Sequence, residues 1–195
     1  MAALDAALPM RDQLVGVGLD SDEKDNPPGK FAAHFAKARA AGLKVTVHCD
    51  LNQKDTLDHL REAMVDLKVD RIDHGGNILQ SPELMTLARE RGLFFTVCPD
   101  RSGQVIGVNG RVDVVRGMLD QKLNVTINSD DPAYMGSKYL TDVLIDAQAR
   151  SSLTKREVVQ IERNAFNAAW ISEQERQIYL GRLEAFARTW GIASG

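Results

Sequence analysis

Five short apolar segments, each followed by a helix-like segment, are the feature that most constrains the fold of this chain. The apolar segments lie at residues 14–19, 43–48, 70–74, 93–98 and 123–128. They read as continuous apolar runs, which is typical of strands covered by helices. Alternation of strands and helices predicts a parallel sheet with right-handed crossovers. Either an open doubly wound sheet or part of a (β/α)8 barrel satisfies this pattern.

Helical spacing of apolar residues predicts the segments that connect and follow these strands. The predicted helices cover residues 1–13, 30–41, 55–67, 82–91 and 112–121, and the region 140–190 is nearly all helical. A chain of 195 residues is long enough for one ordinary domain, so we expect residues 1–195 to form a single domain.

Composition excludes several classes of partner. The formal net charge is −3 and there is no basic block, so we expect no nucleic-acid binding. No apolar run approaches the roughly 20 residues that span a bilayer, so we expect no membrane insertion. The two cysteines, Cys49 and Cys98, are too few for a disulfide framework, and a reducing, cytoplasmic location is expected.

Histidines and carboxylates follow several of the predicted strands at the point where each strand ends. His48, His74, Asp130 and Asp131 are the main examples. Both candidate architectures place a ligand site at the carboxyl edge of the sheet, so we expect these side chains to converge. Imidazole and carboxylate groups together suit zinc. Taken singly, each histidine could instead be satisfied by a backbone carbonyl.

Asp130 and Asp131 form the most informative pair. Two adjacent carboxylates at the end of an apolar strand repel each other and are costly to desolvate. A cation, or a proton shared with a ligand, would relieve that cost. The alternative is a helix cap and turn before Pro132, which is a common use of aspartate.

Several strings of residues resemble the adenosine/adenine deaminase family, from about Leu14 to Trp170. They are Gly18-Leu19-Asp20-Ser21 with Glu23, Asn26-Pro27-Pro28, His48, Arg71-Ile72-Asp73-His74-Gly75, Cys98-Pro99 and Asn128-Ser129-Asp130-Asp131-Pro132. The resemblance implies a (β/α)8 TIM-type barrel with one divalent metal, usually zinc. It further implies that this chain is a partial barrel, with strands four to eight plus the C-terminal helices.

The resemblance also implies roles for individual residues. His48 and Asp130 would bind the metal, and His74, assisted by Asp130, would orient and activate water. Asp131 would hydrogen-bond the purine ring, and Ser21 lies where the family's loop backbone approaches the purine. The implied reaction is hydrolytic deamination of a 6-aminopurine by a metal-activated water. The partner is therefore expected to be a small purine.

Two departures from the family pattern affect these expectations. Leu51 stands where the family usually has a glutamate that donates a proton to the ring. Residues i and i+2 of a strand point the same way, so Asp50 is predicted to replace that acid. A helix-entry cap is the other interpretation of Asp50. The second departure is the absence of the H-x-H pair that supplies two metal ligands.

Without H-x-H, strands one to three are expected to be missing and metal occupancy is doubtful. Five parallel strands cannot close a barrel, so we expect self-association or pairing with a missing N-terminal segment. A catalytically dead, self-associating barrel fragment and a nucleotide-binding doubly wound module are the alternatives. Adenine, adenosine and N6-substituted purines all remain open as substrates, although the Gly18-Leu19-Asp20-Ser21 and double-proline pattern looks closer to the adenine type.

Overall fold

Five parallel strands form the central sheet. The computed structural model describes residues 2–49, 54–99, 104–107, 110–135 and 138–192. The strands of the sheet are β1 (Gly16–Leu19), β2 (Lys44–Cys49), β3 (Arg71–His74), β4 (Phe94–Val97) and β7 (Asn124–Ile127). An antiparallel hairpin, β5 (Gln104–Gly107) and β6 (Gly110–Asp113), was not predicted and lies between β4 and β7 in the chain.

The spatial order of the strands is β1-β2-β3-β4-β7, and every neighbouring pair is parallel. A doubly wound sheet reverses its strand order at a switch point, whereas a (β/α)8 barrel adds each strand beside the previous one. The described strands show no reversal. The alternative of a doubly wound sheet, as in a nucleotide-binding module, is therefore wrong for the described strands.

Helices follow the strands and pack on one side of the sheet. They are α1 (Ala2–Ala7), α2 (Ala32–Ala40), α3 (Thr56–Val65), α4 (Pro82–Glu90), α5 (Val114–Asp120), α6 (Pro132–Met135), α7 (Leu140–Arg150), α8 (Lys155–Ala168) and α9 (Glu173–Thr189), with 3-10 turns at Leu8–Gln13, Pro28–Phe31 and Gly76–Gln80. Side-chain caps fix several starts: Ser81 accepts from the Leu84 amide, and Thr154 and Ser172 open capping boxes. The helix predicted from residue 112 begins at Val114 because residues 110–113 pair in the hairpin.

The two faces of the sheet differ in composition. One face is buried beneath the helices in a single core, with Val45, Val47, Ile72 and Phe95 fully inaccessible to solvent. Alternate residues of a strand point to opposite faces, and those on the other face are largely polar. That polar face carries Thr46, His48, Asp73, Thr96 and Asn128. The expectation of uniformly apolar strands is wrong for this face.

A hydrogen-bond network crosses the polar face. Asp73 on β3 accepts from the Thr46 hydroxyl at 2.7 Å and from the Thr96 hydroxyl at 2.6 Å, so it links three adjacent strands. The Arg71 Nε lies 3.4 Å from the same carboxylate. Its guanidinium stacks 4.4 Å from the ring of Trp170, which follows α8 and packs against Gly16. The network connects the middle of the face to its amino-terminal end.

Strands β1 and β7 are the edges of the described sheet. Edge strands present unpaired backbone donors and acceptors, and barrels remove such edges by closing. The polar face is therefore the surface that a closed barrel would enclose. Among the described helices, none has both the length and the apolar character needed to cross a bilayer.

Candidate active site

Two of the predicted site histidines lie together at the carboxyl ends of adjacent strands. His48 is the penultimate residue of β2, and His74 is the last residue of β3. The ring centroids are 4.6 Å apart and the rings are nearly perpendicular, at 83°. Parallel strands in register bring these residues together, since His48 is paired with Asp73 and Cys49 with His74.

Asp130 follows the edge strand β7 and lies beside His74 at this rim. It lies three residues beyond β7, and its carboxylate, the His74 ring and the Cys98 sulfur offer ligand atoms within 4.8 Å of one another. A cavity of about 420 Å³ opens beside Asp130 on the polar face. His48, His74 and Asp130 thus lie on one rim, as the topology predicts for strands that all run in the same direction.

The backbone is turned sharply at two of these positions. His74 has a φ of +62° and Asp130 a φ of +58°, both in the left-handed region that side chains other than glycine seldom adopt. Gly75 follows with a φ of +66°, and a Cβ there would lie 2.9 Å from both the Ile72 and the Phe95 side chains. Left-handed backbone of this kind is concentrated at functional sites. These left-handed residues turn the chain away from the strand direction at the carboxyl end of β3 and shortly after β7.

Glu23 contacts His48, although no role for Glu23 was predicted from the sequence. Its carboxylate Oε1 is in hydrogen-bond contact with His48 Nδ1, and its side chain is only 10% exposed. Asp20 Oδ1 lies 3.8 Å from the same nitrogen. The signal that could have identified this contact is the spacing of acidic residues directly after β1, at the same rim as His48.

Cys98 also belongs to this rim. Burial, together with the nearby Asp130 carboxylate, raises the pKa of the Cys98 thiol to about 12. A thiol with a pKa raised in this way is protonated near pH 7. Cys49 points into the helix-covered core, where burial again raises the thiol pKa above its ordinary range.

The other predicted site residues are exposed or lie outside the described residues. Asp131 follows Asp130 at the end of β7 and is exposed. Ser21 is also exposed, with a φ of +98°, and its backbone N–H already donates to Asp20 Oδ1 at 2.6 Å. Asp50 and Leu51 lie outside the described residues, so the role predicted for Asp50 stays a prediction.

The donor chemistry of the rim fits a divalent metal of intermediate softness. Among the described residues, Asp130 groups with His74 and Cys98, and His48 groups with Asp20 and Glu23. The predicted pair, His48 and Asp130, offers an imidazole nitrogen and a carboxylate oxygen, a combination typical of zinc. Catalytic zinc commonly takes three protein ligands and keeps one position for water or substrate. These two side chains would leave further protein ligands to be supplied.

Comparison with known proteins identifies the family to which this geometry belongs. A family model described as adenosine deaminase matches residues 2–185. The chain belongs to the adenosine deaminase family. A deaminase of Schizosaccharomyces pombe, itself described as uncharacterised, is 51% identical over 187 residues, which cover 96% of this chain and 55% of the relative. An adenine deaminase of Rhodopseudomonas palustris is 36% identical, and the match covers all of this chain and 56% of that protein.

Solved structures of the family share the fold. The crystal structure of an adenine deaminase from Arthrobacter aurescens superposes with a TM-score of 0.79 at 28% identity, covering 95% of this chain and 58% of that one. A zinc-bound amidohydrolase of Burkholderia ambifaria gives a TM-score of 0.77 at 24% identity, over 95% of this chain and 55% of that one. The prediction of a partial TIM-type barrel is confirmed. The chain spans about 55% of the length of the curated relatives it matches.

Proposed function

We propose that this chain supplies the C-terminal part of a purine deaminase active site, which replaces the 6-amino group of adenine with oxygen. The observation that carries the proposal is the meeting of His48, His74 and Asp130 on one rim of a partial barrel. In the overall reaction, water adds at C6, a ring nitrogen is protonated and ammonia leaves. Each of these steps requires a positioned acid, base or charge.

His48 and Asp130 are proposed to hold one divalent metal, with zinc as the proposed ion. When bound, such a metal acts as a Lewis acid that lowers the pKa of water. His74, next to His48, is proposed to receive a proton from the attacking water and to fix its direction. Asp130 would assist as a second acceptor, and its left-handed backbone holds the carboxylate beside His74.

Recognition of the purine is proposed to involve residues around this centre. Asp131 would accept a hydrogen bond from a protonated ring nitrogen, and the backbone at Ser21 would lie against the ring. Asp50 is proposed to donate the proton to the ring nitrogen beside C6, in place of the family's usual glutamate. That proton allows the ring to accept the electron pair when water adds to C6.

Adenine is the proposed substrate rather than adenosine or an N6-substituted purine. Seven relatives named adenine deaminase are between 35% and 38% identical to this chain over at least 91% of its length. The Asn26-Pro27-Pro28 segment and the preceding Gly18-Leu19-Asp20-Ser21 string are the features closest to that type.

Activity is proposed to require protein ligands beyond those of this chain. The chain contains no H-x-H sequence, and it matches little more than half of each relative. We propose that the edges β1 and β7 pair with further strands that carry the missing ligands, or with a second copy of the chain. Light scattering should accordingly report an assembly larger than one chain, and a stable monomer at high concentration would contradict association.

The test of activity joins this chain to the portion of the Schizosaccharomyces pombe relative that lies outside the matched region. We expect the zinc-loaded hybrid to convert adenine, as measured by the ultraviolet spectrum and by ammonia release, and this chain alone to be inactive. His74→Gln should lower the hybrid's turnover by at least about a hundredfold, the scale of general acid–base catalysis. His34→Gln, on helix α2 away from the rim, is the matched control.

The outcomes separate the proposal from its alternatives. A folded, zinc-containing hybrid that releases neither ammonia from adenine or adenosine nor the substituted amine from an N6-substituted purine would support a catalytically dead fragment. Near-normal turnover of His74→Gln would remove His74 from the chemistry. Near-normal turnover of Asp50→Asn would do the same for the proposed ring acid.

A further inference from the structure

The loop after β1 carries a nearly buried carboxylate to the His48 ring. Glu23 is 10% exposed, and its Oε1 is in hydrogen-bond contact with His48 Nδ1. A carboxylate that has lost most of its water requires hydrogen bonds to stay charged. An ionised carboxylate can only accept, so this contact requires the hydrogen on Nδ1. In a neutral imidazole the lone pair is then on Nε2.

Among the described residues, Asp20 also places a carboxylate near Nδ1 of this ring. Its Oδ1 is 3.8 Å from Nδ1, beyond hydrogen-bond range, and its side chain is 75% exposed. The same oxygen already accepts from the Ser21 amide at 2.6 Å. Asp20 therefore shapes the loop, whereas Glu23 engages the histidine.

The position of Glu23 is held by the Asn26-Pro27-Pro28 segment. The Asn26 backbone N–H donates to the Glu23 carbonyl at 3.0 Å, and the Asn26 side chain donates to the carbonyls of Asp22 and Lys24, also at 3.0 Å. Lys30 in turn donates to Asn26 Oδ1 at 2.7 Å. The buried Pro28 anchors the end of the loop. Glu23 is thus placed by a closed turn rather than by a free chain.

We propose that Glu23 is a positioning residue that holds His48 in its Nδ1–H tautomer and leaves Nε2 to bind an electrophile. The proposal rests on the proposed function only in taking that electrophile to be the metal. Histidine ligands commonly donate their second ring N–H to a carboxylate, which fixes the ring and raises its basicity. Nothing in the contact requires purine chemistry, so the tautomer can be measured independently of deamination.

The experiment is nitrogen-15 NMR of the histidine rings in the full chain, at a pH where each ring carries one proton. The chain has four histidines, and His48→Gln identifies the signals of His48 by their loss. We expect the wild-type ring to be protonated at Nδ1. Glu23→Ala should shift the ring at least about tenfold toward the Nε2–H form, which free histidine prefers. Asp20→Asn removes the same charge nearby, keeps an oxygen for the Ser21 amide, and should leave the tautomer unchanged.

Zinc titration of the same samples separates this inference from the proposed function. Zinc is expected to perturb Nε2 of His48, and Glu23→Ala should need about 10–100 times more zinc for the same response. A wild-type ring protonated at Nε2, or the same tautomer in Glu23→Ala as in wild type, would overturn the inference. A retained Nδ1–H form in a hybrid enzyme that does not deaminate purines would leave the inference standing and remove the proposed function.

Discussion

The two faces of the central sheet use the same strands for different purposes. Phe95 and Phe94 are consecutive on β4, yet Phe95 is fully buried under the helices and Phe94 is half-buried on the polar face. The helix-covered face packs aliphatic and aromatic side chains into one core. The polar face holds a charged and hydroxyl network that leads to the histidine rim. One face stabilises the chain, and the other positions chemical groups.

This difference between the faces shows which of them contributes most to the stability of the partial barrel. Burial of apolar surface is the dominant favourable term in folding, and nearly all fully buried large side chains lie on the helix-covered side. The polar face contributes less to the free energy of folding because hydrogen bonds within it replace hydrogen bonds to water. A chain built this way can keep its core while the edge strands β1 and β7 stay available to pair with further strands.

Replacing Phe95 should produce the largest effect. Phe95→Ala leaves a cavity among fully buried neighbours and is expected to lower the free energy of unfolding by about 3–5 kcal/mol. Phe94→Ala, one residue away on the other face, should cost about 1–2 kcal/mol because that ring keeps part of its contact with water. Urea denaturation followed by circular dichroism measures both. Equal losses for the two variants would contradict the division between the faces.

Most of the fold could be predicted from the sequence. Alternation of β-branched runs with helical spacing located all five parallel strands to within about two residues, because tertiary packing and local preference agree there. The rim was predictable for a related reason: His48, His74 and Asp130 each lie at or just beyond the carboxyl end of a strand, and parallel strands end on one edge. Register then decides which side chains meet.

The parts that the sequence did not predict depend on contacts between distant segments. Glu23 meets His48 only because a closed loop turns back toward β2. Trp170 packs at the far end of the polar face through the path of the chain after α8, which no local pattern encodes. The hairpin from Gln104 to Asp113 was concealed because its second strand leads directly into α5. Alternation along single strands was also masked, since threonine and histidine sit between aliphatic residues.

Removing the centre of the polar network should have an intermediate effect. Asp73→Ala removes the carboxylate that accepts from the Thr46 and Thr96 hydroxyls and pairs with Arg71, and leaves the Arg71 carbonyl at 3.3 Å as the acceptor for Thr46. We expect a loss of about 1–2 kcal/mol in the free energy of unfolding, with the apolar core retained. Asp66→Ala, at the exposed end of α3, is the control. A loss as large as that of Phe95→Ala would mean that the polar face, too, carries the fold.

The smallest effect is expected outside both faces, where Arg116 of α5 pairs with Glu157 of α8. The hydrogen bond from Arg116 lowers the pKa of Glu157 from 4.5 to about 2. A carboxyl group with a lowered folded-state pKa stabilises the protein above pH 4.5, and that stabilisation is lost as the pH falls toward 2. Glu157→Gln, which preserves the capping box with Thr154, should therefore cost about 0.2–1 kcal/mol at neutral pH. The difference from wild type should narrow as the pH falls below about 4.5. Urea denaturation at a series of pH values measures it, and a difference that stayed constant into that range would show that charge pairing is not its source.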